Sequence, residues 1–68
     1  MKVYKTEKEV LKVLSWAGYH TFVEVRLAKP ATATTPPEFW VAPTKGNESA
    51  MGVLAILLAN SNARVVPR

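Results

Sequence analysis

The residues that could do covalent or acid–base chemistry are few. His20 is the only imidazole in the chain. Glu24 lies four residues on, and if both sit on one strand face they are about 13 Å apart at ~3.3 Å per residue, too far for a direct dyad. Ser15, Ser49 and Ser61 are not flanked by the G-x-S-x-G pattern that exposes a nucleophilic serine. The glycines, at 18, 46 and 52, are too dispersed to form a phosphate-cradling loop. The chain has no cysteine, which removes disulfides, thiolate metal sites, iron–sulfur clusters and cysteine nucleophiles together. With one histidine and no cysteine, a zinc site built from those ligands is excluded within one chain. The expectation is a protein that is not an enzyme, with no catalytic residue, no metal and no cofactor.

What remains is recognition chemistry. Lys and Arg number 9 against 5 Asp and Glu, a net charge of +4, enough to attract phosphates, anionic lipid or an acidic protein surface. The candidate partner contacts are Phe22, Trp40, Arg26 and Lys29. Trp40 reads in two ways. Tucked under a neighbouring helix it belongs to the core, which is the first reading. Beside Phe22 on an open sheet it is a platform on which bases could stack. The cations are scattered along the chain, and no RNP pattern, zinc finger or helix-turn-helix spacing accompanies them. Any nucleic-acid affinity is therefore expected to be non-specific.

These residues must be positioned by one small domain, because 68 residues is too short for two. The chain is 49% apolar and 21% charged, a globular composition. Thr6-Glu7-Lys8-Glu9 is a capping box, with the Glu9 side chain expected to reach the Thr6 amide. Val10, Val13, Leu14 and Ala17 follow at helical spacing, with Leu11 beside them, and Gly18 is a natural stop. Lys5, Lys8 and Lys12 fall on the opposite side. Tyr19 to Ala28 alternates as a strand, with Tyr19, Thr21, Val23, Val25 and Leu27 expected on the core side. The stretch 29–37 holds three prolines and three threonines, reads as a loop without an apolar anchor, and is expected to be a mobile spacer dispensable for folding. Glu38–Ala42 is a second strand closed by Pro43, and Ala63–Val66 a closing one. The fold class is α+β: a small antiparallel sheet of three or more strands packed with two helices, in the order α-β-β-α-β.

The second helix, capped by Asn47 or Ser49 and running to about Ala59, is the most informative element. Met51, Leu54 and Leu58 form one face at 100° per residue, and Val53, Ile56 and Leu57 nearly the opposite one. No charge occurs between Glu48 and Arg64. A helix apolar all round is expected to be buried all round, and one thin sheet shields only one side. One face is therefore expected to pack within the subunit and the other against a second copy. The spacing does not say which is which.

The stretches Thr21–Val25, Glu38–Pro43, Ser49–Asn60 and Ala63–Val66 resemble the hairpin, apolar helix and closing strand of small bacterial OB-fold B-subunit-like proteins, the pentameric binding components of pertussis-like toxins. The resemblance spans residues 19–66. It implies a helix packed on a sheet and assembly into rings that bind glycans. It implies no particular functional residue. The longest apolar run, Ala50–Ala59, is half of a membrane span, and the charged start has no export signal, so a soluble cytoplasmic protein is expected. The functional expectation is a non-catalytic, homo-oligomeric binding protein that docks on another macromolecule, as phage- or plasmid-type inhibitors do. The alternative is a small basic nucleic-acid-binding module using Lys/Arg with Trp40 and Phe22.

Overall fold

A computed structural model describes residues 2–67. The chain runs α1 (Glu7–Trp16), β1 (Val23–Lys29), β2 (Glu38–Pro43), a 3₁₀ turn (Glu48–Ala50) leading into α2 (Met51–Leu57), and β3 (Ala63–Val65). This is the α+β order expected, with one sheet ordered β1-β2-β3. The sheet is mixed, not antiparallel throughout. β1 and β2 pair antiparallel, but β3 lies parallel to β2, with Phe39 opposite Ala63 and Val41 opposite Val65. The cause is the segment between β2 and β3: a helix crossing over the sheet returns the chain to the end from which β2 started, so the next strand runs the same way.

α1 starts where the capping box places it. The Glu9 amide donates to Thr6 Oγ1 at 3.3 Å. The Glu9 carboxylate reaches one residue further back than expected and accepts from the Lys5 amide at 2.8 Å. At the other end Gly18 takes φ 80. The Tyr19 amide there donates to the Leu14 carbonyl and the Gly18 amide to the Ser15 carbonyl. This paired closure requires a left-handed residue, which glycine supplies without Cβ strain. Residues 19–22 form a turn, so β1 begins at Val23, later than the alternation suggests, and His20 lies exposed in that turn.

The core forms between one sheet face and the two helices. Val10 and Leu14 of α1 and Leu54 and Leu58 of α2 meet Val23, Phe39, Val41 and Ala63 of the sheet. Leu27 has inward parity yet is exposed, because β1 is an edge strand and its far end runs beyond the buried stripe of α1. There the Leu27 amide donates to the Glu7 carboxylate at 3.1 Å, which occupies an edge donor that could otherwise pair with another strand.

α2 is shorter than expected, and neither Asn47 nor Ser49 caps it: no side chain bonds the helix start. Asn47 Nδ2 instead donates to Thr44 Oγ1 at 2.9 Å. The loop before β2 is anchored at its end, because Pro37 is buried and its carbonyl accepts from Asn62 Nδ2. Asn62 is the buried polar residue of the core. Its Oδ1 accepts from the Tyr4 amide at 2.8 Å, and Nδ2 also donates to the Tyr4 carbonyl at 3.2 Å. One side chain thus ties together the N-terminal segment, the loop end and the approach to β3. Tyr4 itself is buried, which pushes its phenol pKa above the usual 10.0.

Candidate functional site

Strand parity divides the sheet. Val23, Val25, Phe39 and Val41 face the helices, so Glu24, Arg26, Trp40 and Ala42 face the other way. The register places Arg26 opposite Trp40 on one side and Arg64 opposite Trp40 on the other. The result is a single row across all three strands, Arg26–Trp40–Arg64, with neighbours about 4.8 Å apart. Both helices send their buried residues to the opposite face, so neither covers this row. Trp40 is 49% exposed, which overturns its reading as core beneath a helix. The residue sits on the face that the helices do not use.

Each arginine of the row has a carboxylate nearby. Arg26 lies 4.0 Å from Glu24, and Arg64 lies 3.4 Å from Glu38. Exposed pairs of this kind contribute ~0–1 kcal/mol and are screened by salt. Such weak pairs leave both guanidinium groups open to exchange, so a phosphate could replace either carboxylate.

Phe22 shares the outer face by parity and is partly exposed. Its carbonyl accepts from the Thr44 amide at 2.8 Å and from Thr44 Oγ1 at 3.2 Å, which carries the antiparallel pairing one step past β1. Phe22 does not adjoin Trp40. The row of Glu24 and Ala42 lies between them, a separation of about 13 Å along the strand. Lys29 joins the outer side only through an irregularity. The register shifts between Leu27 and Lys29, so Lys29 stands opposite Glu38, and it lines a cavity with Pro30, Thr32, Thr35 and Pro36 of the adjoining loop.

The candidate self-association residues divide cleanly. Leu54 and Leu58 are buried and Met51 is half-buried, so theirs is the intramolecular face. Val53, Ile56 and Leu57 point outward, and Ile56 is 76% exposed. The expected burial all round therefore does not hold within one chain. Trp16, which the sequence reading did not single out, is 77% exposed. It follows Lys8 and Lys12 at four-residue steps on the solvent side of α1. The signal was available: Trp16 falls opposite the Val10–Leu14 stripe on a helical wheel.

Among the described residues no group of three His, Asp or Glu side chains could hold a metal ion, and no helix is long and apolar enough to cross a membrane. No protein-family model matches the chain, and neither a curated protein nor a solved structure matches it.

Proposed function

We propose that the protein is a non-catalytic binding module that takes single-stranded nucleic acid on its open sheet face. The Arg26–Trp40–Arg64 row carries this reading. An exposed indole offers a flat surface to any base, and an arginine on each side meets the phosphates that flank a stacked base. Phe22, further along the same face, is a second stacking position. The net charge of +4 favours encounter with a polyanion. Recognition of this kind tolerates sequence, because every base has a π-face, and it needs no reading element in a groove. Of the two functional expectations, this reading takes the alternative, a small basic nucleic-acid-binding module using Lys/Arg with Trp40 and Phe22, in preference to an inhibitor-like docking protein.

The test is a titration of fluorescein-labelled 12-nucleotide RNA and DNA single strands, read by anisotropy over a range of salt. Binding should weaken steeply with salt. Trp40→Ala should weaken it by about 5- to 150-fold, the equivalent of ~1–3 kcal/mol for one stacked base. Absence of binding at low salt, or equal binding by Trp40→Ala, refutes the reading.

A second reading rests on a separate observation. Val53, Ile56 and Leu57 are exposed in a segment with no charge between Glu48 and Arg64, on a chain of net charge +4. Two such chains repel at most surfaces and least at this one. The reading is that a second copy docks there, and the mass of the particle by light scattering tests it.

A further inference from the structure

A cavity of about 550 Å³ adjoins the end of the Arg26–Trp40–Arg64 row, within the roughly 300–1,000 Å³ typical of small-ligand clefts. Arg64 belongs to both places: it flanks Trp40 in the sheet and lines the cavity. Lys29 stands on the cavity wall with Thr32, Thr35, Pro30 and Pro36 from the adjoining loop. Lys29 makes no ion pair among the described residues, and the carboxylate in the wall, Glu38, is engaged with Arg64 at 3.4 Å. The local balance is therefore two cations against one anion.

The loop wall is already shaped. Thr32 Oγ1 accepts from the Thr34 and Thr35 amides at 3.3 and 3.0 Å. It also lies 2.5 Å from Thr35 Oγ1. The Thr32 amide donates to the Thr35 carbonyl at 3.0 Å. Proline on either side restricts the backbone further, so little ordering remains to be done when a ligand arrives. Asn62 at the floor has its amide fully used by Tyr4 and Pro37, so it stabilises the site instead of binding in it.

We propose that this cavity seats the nucleotide next to the one stacked on Trp40, with Lys29 and Arg64 on its phosphate and Pro30 and Pro36 against its sugar and base. The proposal rests on the sheet-face reading above. It adds a defined end to an otherwise sequence-tolerant platform, because a cavity exists at one side of the row and the bound strand must enter it there.

The experiment pairs Lys29→Gln with Trp40→Ala in the 12-nucleotide titration. Lys29 is exposed, so Lys29→Gln should keep the wild-type melting temperature. Loss of one phosphate contact should lower the log–log salt slope by about 0.7 while tryptophan quenching by the oligonucleotide persists. A nucleoside monophosphate titrated against isotope-labelled protein should shift the Thr32 and Thr35 amide resonances, and the same nucleoside without phosphate should not. If Lys29→Gln leaves slope and affinity unchanged while Trp40→Ala weakens binding, the cavity proposal is overturned and the platform stands. If neither substitution matters, the platform reading has failed. The cavity proposal, which seats its nucleotide beside the one on Trp40, then falls with it.

Discussion

Replacing Asn62 should remove most of the stability of this domain. The residue is 6% exposed, and its side chain satisfies the Tyr4 amide, the Tyr4 carbonyl and the Pro37 carbonyl. Asn62→Ala leaves all three without that partner. A buried polar group stripped of its hydrogen bond costs about 1–3 kcal/mol, so even the low end of that range gives about 3 kcal/mol for the three groups together. A core of this size supplies only ~3–5 kcal/mol. Urea denaturation followed by far-UV circular dichroism should therefore show a midpoint near zero denaturant for Asn62→Ala. Asn62→Asp is the sharper variant. Its oxygen still accepts from the Tyr4 amide, but an ionised carboxylate cannot donate and would face two carbonyl oxygens. Burial and those oxygens raise its pKa in the fold above the unfolded value of ~3.9. A carboxyl raised in this way is least damaging below the unfolded value, and the deficit grows as pH rises from there through the folded one. A protonated carboxyl has one O–H and can serve only one of the two carbonyls, so the stability gap between Asn62→Asp and wild type should be about 1–3 kcal/mol at pH 3 and wider at pH 7. A loss below about 1 kcal/mol for Asn62→Ala, or a gap independent of pH for Asn62→Asp, would refute the tie.

The two faces of α2 should respond oppositely to charge. Leu54→Lys places an unpartnered charge at a fully buried site and should abolish the folding transition. Ile56→Lys should shift stability by no more than about 0.5 kcal/mol in the isolated chain. If a second copy docks there, it should also reduce the particle mass seen by light scattering, and a wild type that already elutes as a monomer would end the self-association reading. Burial raises the Tyr4 phenol pKa above 10.0, so its contribution is complete below pH ~10 and is lost as pH rises past that value. Tyr4→Phe should accordingly flatten the fall in melting temperature between pH 9 and 11.

Local signals were legible where the cause is local. The capping residue Thr6, the stop at Gly18 and the 3.6-residue spacing of Val10 and Leu14 act within one helix, so α1 could be read nearly to its ends. The alternation around β1 and β2 likewise told which residues share a face, and with them the two-sided division of α2. Long-range pairing was not legible. The parallel placement of β3 depends on how the crossover packs. The Pro37 carbonyl is bonded by Asn62, 25 residues away, and nothing in a proline–threonine stretch announces such a partner. The Tyr4 amide and carbonyl bond to the same residue, 58 positions distant.

The candidate site divides along the same line. Composition alone narrows the chemistry: without cysteine and with one histidine, thiolate chemistry and a zinc site built from His and Cys are excluded within one chain. Period-two alternation separates Trp40 from Phe39 and Val41, and Arg26 from Val25 and Leu27, whatever the rest of the chain does. Which side of the sheet the helices cover is a different matter, because either face of a strand pair can be buried until a helix chooses one. Only the tertiary structure decided that both helices take the Phe39–Val41 face, and this exposes Trp40. Only the parallel register of β3 then sets Arg64 beside it, and the register shift after Leu27 sets Lys29 opposite Glu38 at the cavity next to that row.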